Sequence, residues 1–361
     1  MNPYLPEPLP LNSLDWGKFI HLIGEANFEL GSYEGILQRI INPAVFLSPL
    51  TTQEAVLSSR IEGTEATLEE ILEYEALPKT GKKTEDIQEV INYRQAMLYA
   101  IEWLETRPIT LNLMREIHSR LLDSVRGRDK ARGEFRRVQN WIGKRGTPIE
   151  QATYVPPSAE NLMDCLSNLE KYIHYEEKDR LVQLAIVHAQ FEIIHPFLDG
   201  NGRVGRILIP LFLTEKKLLS SPMFYISAYL EAHRDTYMDK LNDITRNNSW
   251  EEWIIFFLTA VIEQAKANSK KARAILELYE EMKREITQVT RSQFSIQVLD
   301  ALFGSPIFST TAFTRRSGVP KASAVRILNE LREREVISIL REGKGSRPAV
   351  MVFSGLMDIV E

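Results

Sequence analysis

Through most of the first 290 residues, apolar side chains recur every three to four positions, and that period commits the chain to helices. Leu14, Phe19, Ile20, Leu22, Ile23, Phe28 and Leu30 set it between about residues 13 and 37, after a Pro-rich arm. A second helix is expected from Thr51, read as its N-cap, to Ile61, with a break at Gly63. Thr67 then caps a short acidic helix, LEEILEYEAL, that Pro78 stops, and KTGKKTED is a polar loop. Helices follow over residues 86–105, 110–123, 158–175, 180–194, from about 204, over 234–245, and as a long connector from 250 past 279. One stretch breaks the period. Residues 127–157 mix Val138, Trp141, Ile142, Tyr154 and Val155 with Gly143, Gly146 and Pro148, which predicts a β-hairpin of 138–142 and 152–155.

Composition narrows the class. The chain has 361 residues, 44% of them hydrophobic and 26% charged, with a net charge of −5. That length suggests two or three domains, and that balance a soluble globular protein. The longest apolar stretch, near residues 253–262, falls far short of the roughly 20 residues of a membrane span. MNPYLPEPLPLN has no basic segment of the secretory kind, so a cytoplasmic protein is expected. The single Cys165 excludes an internal disulfide framework and is read as packing, and His118, His174, His188 and His233 lack metal-ligand spacing.

The last seventy residues differ. From 291 to 361 there are ten Lys and Arg against seven Asp and Glu, a net of +3, leaving −8 for the preceding 290. Helices are expected over 292–303, 311–317 and 321–333, with SGVP as the turn between the last two. VISILREGKGSRPAVMVF reads as two strands around a basic glycine loop, completing a winged helix-turn-helix. Lys321, Arg326, Arg332, Arg341, Lys344 and Arg347 are candidate phosphate contacts to DNA. Glu330, Glu333 and Glu335 oppose that use, and such modules also dock proteins, so both partners stay open.

Residues 195–206, HPFLDGNGRVGR, carry the chemistry. Amides of Gly200, Asn201 and Gly202 sit in a tight loop before a helix, where free N–H groups and the helix dipole favour a phosphate. Arg203 and Arg206 share one face of that helix and suit phosphate oxygens. Asp199 supplies a hard carboxylate of the kind that holds Mg²⁺ jointly with phosphates, and His195 a base near neutral pH. Together they point to nucleotidyl or phosphoryl transfer.

The segment resembles the signature of the Fic family, H-x-F-x-[D/E]-G-N-G-R-x-x-R, at every fixed position. The resemblance implies an all-α Fic fold with a β-hairpin flap, and transfer of AMP from ATP to a Ser, Thr or Tyr hydroxyl of a target protein, with pyrophosphate released. It implies that His195 deprotonates the hydroxyl, Asp199 holds Mg²⁺, and Phe197 anchors the loop. The Gly200–Gly202 amides and the Asn201 side chain would form the anion hole. Arg203 would hold the β-phosphate and Arg206 the γ-phosphate, with Val204 and Gly205 in the same nucleotide-binding segment. Ile142, Thr153, Tyr154 and Val155 would belong to the flap that pins a target strand. Tyr229 and Tyr237, in YLEAHRDTYMDKL, would close over the adenine, although Met238 stands where the family often has a second tyrosine.

Upstream, Ser58, Glu62 and Gly63 match the family's inhibitory pattern [S/T]-x-x-x-E-[G/N]. The resemblance implies that Glu62 pairs with Arg206 and so denies the γ-phosphate its guanidinium. It places the chain in the class with an N-terminal inhibitory helix, where homodimers are common. The expected division is 1–109 for the N-terminal helical region, 110–250 for the catalytic core, 251–287 for a connector and 288–361 for the winged helix. Two alternatives stand beside this reading: a DNA-binding regulator whose core senses nucleotide without transferring it, and a Fic enzyme of altered chemistry that moves UMP or phosphocholine or removes AMP.

Overall fold

A 41-residue helix, Trp250–Thr290, packs against both the preceding helices and the C-terminal segment. In the computed structural model, residues 2–40, 48–78, 84–123, 125, 130–143, 146, 148–343 and 348–361 are described. In chain order the helices are α1 (Ile20–Leu37), α2 (Ser48–Ile61), α3 (Leu68–Ala76), α4 (Thr84–Leu104), α5 (Leu111–Leu121), α6 (Leu162–Ile173), α7 (Arg180–Ile194), α8 (Asn201–Glu215), α9 (Ser227–Ala232), α10 (Arg234–Asn247) and α11, the long helix. The first half of α11 is buried at Trp253, Ile254, Phe257, Leu258 and Val261, which fits its place between α1 and α7. The Trp253 indole donates to the Ala185 carbonyl at 2.8 Å, so even this polar edge is paired.

Sequence signals set several of these boundaries. Thr67 and Glu70 form a reciprocal capping box at α3, Thr110 caps α5, and the Asp179 carboxylate accepts from Leu181 and Val182 at the start of α7. Gly63, at φ +94°, ends α2 in the left-handed region that favours glycine. Thr51 is not an N-cap. The helix begins at Ser48, and the buried Thr51 hydroxyl instead shares a 2.6 Å hydrogen bond with Tyr225. The first helix likewise starts later than its apolar period, at Ile20, behind a 3₁₀ turn at Trp16–Lys18.

The expected hairpin is reduced to one isolated bridge, Ile142 to Tyr154, beside a 3₁₀ turn at Ile149–Gln151. Pro148, Pro156 and Pro157 flank it and cannot donate to a ladder. Behind it the Pro-rich arm is fixed rather than loose: Tyr4 N–H donates to Val155 O at 2.9 Å, and the Asn168 amide brackets the main chain of Leu9.

The C-terminal segment contains α12 (Ser295–Gly304), β1 (Ile307–Ser309), α13 (Thr310–Ser317), α14 (Lys321–Glu333), β2 (Ser338–Arg341), β3 (Val350–Val352) and α15 (Ser354–Val360). The strands form an antiparallel sheet in the order β1-β3-β2. β1 is an addition to the sequence reading: three residues are too few to show alternation, yet Ile307 pairs with Val352. Lys344 and Arg347 lie outside the described residues. This segment docks on the N-terminal helices. The Ser309 hydroxyl donates to Ala76 O at 3.0 Å, Arg341 pairs with Glu73 at 2.8 Å, and α12 and α15 both contact α2. No helix among the described residues is long and apolar enough to cross a membrane.

Candidate active site

The site is the turn between α7 and α8. Both flanking residues are left-handed, His195 at φ 47° and Gly200 at φ 78°, so the chain reverses tightly between two helices buried in the core. Four side chains hold it there. The Asn201 amide accepts from Phe197 N–H at 2.8 Å and donates to Phe197 O at 2.9 Å. The His118 ring stacks on Phe197 with centroids 3.9 Å apart. Because His118 Nδ1 accepts from Gly133 N–H, its Nε2 carries the proton and donates to Asp199 O at 3.0 Å. Burial lowers the His118 pKa to about 4, which keeps this tautomer neutral. The buried Arg136 donates to His195 O at 3.0 Å and to Pro157 O at 2.5 Å, and Asn140 donates to Phe197 O.

Both polar atoms of Asn201 thus engage Phe197, so the side chain expected in the anion hole also holds the turn, with one N–H of Nδ2 accounted for. The amides of the first turn of α8 remain for that task, and α8 starts at Asn201 rather than near Val204. Val204 is core, and Gly205 gives its carbonyl to His188 Nδ1 at 3.3 Å.

A cavity of about 340 Å³ opens over the turn, lined among others by Glu62, Trp141, Ile142, Glu192, His195, Gly202, Arg206, Tyr237 and Met238. His195 lines the cavity, with its Nδ1 buried beneath the surface. Burial lowers its pKa to about 4, against the opposing pull of the Glu192 carbonyl and of Glu62 and Asp199. It is a neutral imidazole at pH 7.

Arg206 is 1% exposed and donates three ways: Nε to Ser58 Oγ at 2.7 Å, Nη2 to Ser58 O at 2.9 Å, and Nη2 to Glu62 Oε1 at 2.7 Å. The Glu62 side chain is 33% exposed, so the pair is buried on the arginine side and open on the other. Burial works against both charges, but each partner's field wins: Glu62 is lowered chiefly by Arg206, and Arg206 is raised chiefly by Glu62. Arg203, also 1% exposed, pairs with Glu89 at 3.5 Å and with Asp199 at 3.6 Å, and is not among the cavity's lining residues.

In sequence, residues 20–102 match the Fic/DOC family N-terminal profile and residues 108–213 the Fic/DOC family profile, together just over half of the chain. The chain belongs to the Fic family. Among curated relatives, Protein adenylyltransferase Fic of Drosophila yakuba is 31% identical over 189 residues, covering 50% of this chain and 34% of that protein. Its namesake in Culex quinquefasciatus is 32% identical over 141 residues, covering 37% and 25%. The alignments thus span about a third or less of these relatives. In structure, a Fic family protein from Desulfovibrio desulfuricans G20 shares the fold over 96% of this chain and 98% of that one, with a TM-score of 0.60 at 18% identity. Fic-1 from C. elegans does so over 72% and 73%, with a TM-score of 0.52 at 20% identity.

Against the Fic signature, the structure brings His195, Gly202, Arg206, Glu62, Ile142, Tyr154 and Tyr237 to one cavity. Tyr229 is not among its lining residues: its ring stacks on His233 at 4.1 Å, one turn along α9. The flap residues divide. Tyr154 and Val155 are buried, with Tyr154 OH donating to Ile193 O and Val155 O taken by Tyr4, while Thr153, Val138, Trp141 and Ile142 are exposed. Sequence reasoning missed Leu241, Asn242 and Thr245, which line the cavity from α10. The i, i+4 steps from Tyr237 to Leu241 to Thr245, and from Met238 to Asn242, are the signal that could have found them.

Proposed function

We propose that this Fic protein transfers AMP from MgATP to a hydroxyl of a target protein, releasing pyrophosphate, and that Glu62 restrains it. The observation that carries the reading is the single cavity shared by His195, Gly202, Arg206 and Glu62. In the transfer, the target oxygen bonds to the α-phosphorus as the bond from that phosphorus to the β-phosphate oxygen breaks. The hydroxyl proton passes to Nε2 of His195. A base of pKa about 4 is weak, but the negative triphosphate in the cavity favours the imidazolium and raises it.

The first-turn amides of α8 receive phosphate oxygens, helped by the helix dipole. Arg206 receives the γ-phosphate once Glu62 gives way, since the two anions need the same guanidinium. Ser58 keeps Arg206 in place during the exchange through two of its three hydrogen bonds. Among the described residues no group of three or more His, Cys, Asp or Glu could cage a metal, but the 37%-exposed Asp199 carboxylate beside the α8 N-terminus fits an ion that arrives with the nucleotide. Bound there, Mg²⁺ would offset the phosphates' charge. Arg203 holds Asp199 from behind. The exposed lip of Val138, Trp141 and Ile142 offers the target an apolar edge beside the base.

For the organisation we propose the N-terminal helical region over 1–109, the catalytic core over 110–250, the connector over 251–287 and a winged helix-turn-helix over 288–361. Exposed Lys321 on α14 supports contact with an anionic partner such as DNA, and Arg326 does so through an exposed pair with Glu330, whereas Arg341 serves Glu73. The test of the chemistry is His195→Ala. Label from ATP carrying a radioactive α-phosphate should be lost while MgATP binding persists; continued labelling would remove His195 as the base. Competition by UTP rather than ATP would redirect the reading to another nucleotide.

A further inference from the structure

Gly202 and Gly205 lie three residues apart on α8, both within the turn that leads into Arg206. Each has a carboxylate where its side chain would begin. A Cβ on Gly202 would collide with Oε1 of Glu62, and a Cβ on Gly205 with Oε1 of Glu192. The first carboxylate is the one that pairs with Arg206. The second, one turn before His195 on α7, lines the same cavity, and its Oε1 is buried with no hydrogen-bond partner. An ionised carboxylate in that position would cost far more than a protonated one.

We propose that Glu192 is a proton-gated positioning residue of the nucleotide site: as a neutral acid it fills the seat on Gly205 and admits the triphosphate, and as a carboxylate it competes for Arg206 and repels the γ-phosphate. This rests on the nucleotide reading above. It makes the site sensitive to alkaline pH through a residue outside the family signature.

Burial pushes the Glu192 carboxyl up to about 8, with Arg206 pulling it down and Glu62 pushing it further up. The other groups around it do not change charge in that range. His195 and His188 are lowered to about 4 and about 3, and Tyr237, whose hydroxyl donates to His188 Nε2 at 2.9 Å, is raised well above 10. Arg206 is raised and Glu62 lowered, so both stay ionised. The last phosphate proton of the nucleotide is lost near pH 6, below the window. The sign follows. As pH rises through the Glu192 range, one negative charge appears beside the γ-phosphate position, so nucleotide affinity falls. Because Glu62 itself pushes Glu192 up, removing Glu62 moves the fall to somewhat lower pH.

The experiment measures MgATP affinity by calorimetry on the full chain carrying Glu62→Gly, with and without Glu192→Gln, between pH 6 and pH 9. The proposal expects affinity in the Glu62→Gly protein to drop about tenfold between pH 7 and pH 9, as exclusive competition with a single deprotonation requires. Adding Glu192→Gln should leave that ratio near one, with tighter binding at pH 9 than its parent. Equal pH ratios in the two proteins, or a flat profile in the parent, would overturn it. Absence of MgATP binding by Glu62→Gly at every pH would overturn the nucleotide reading itself, and this inference with it.

Discussion

The turn at 195–206 and the C-terminal segment both present arginines beside a helix, and they treat them in opposite ways. Arg203 and Arg206 are 1% exposed, and each is held by a carboxylate from elsewhere in the chain, Glu89 and Glu62 respectively. Arg326 and Arg341 are about a half and a third exposed, paired with Glu330 at 2.6 Å and Glu73 at 2.8 Å. A buried guanidinium whose partner is open to a cavity can exchange that partner for another anion at little structural cost. A solvated pair stores almost nothing, because water and salt already compete for it. The first arrangement is a site, and the second is a fastening.

That contrast can be broken by substitution. The largest effect should follow Asn201→Ala. It removes both hydrogen bonds to Phe197 and leaves the buried Phe197 N–H unpaired, while the carbonyl keeps only Asn140, a loss of about 2 kcal/mol of stability together with the transfer activity. Denaturant unfolding beside the labelling assay checks it; an unaltered midpoint would mean that the His118 stack, Arg136 and Asn140 suffice to hold the turn. The smallest should follow Arg341→Ala, about 0.5 kcal/mol or less, fading in high salt. A loss several times larger, insensitive to salt, would show that the Arg341–Glu73 contact belongs with the buried class after all.

The same contrast explains how much was legible in the sequence. Residues 195–206 could be read because their chemistry is local: a turn, a helix start and two arginines one turn apart. Caps such as Thr67 and Thr110 were legible for the same reason. The supports were not, since they come from distant segments. His118, Arg136, Glu89 and Glu192 look like ordinary helix and loop residues until packing places them behind the loop or in the cavity. Asn201 shows the limit within the motif itself: residue type announced a polar role, but only the fold decided that both polar atoms serve Phe197. In the C-terminal segment, charge counting suggested a basic face, and the fold spends Arg341 on the N-terminal helices instead. The hairpin was placed correctly and overestimated, because β-rich composition does not reveal that flanking prolines allow a single bridge.

The central claim is that Glu62 withholds Arg206 from a nucleotide. The most direct measurement compares wild type and Glu62→Gly incubated with MgATP and followed by intact mass. An adduct of one AMP should accumulate at least tenfold faster in Glu62→Gly, and none should form when His195→Ala is added. Equal rates in wild type and Glu62→Gly would contradict it.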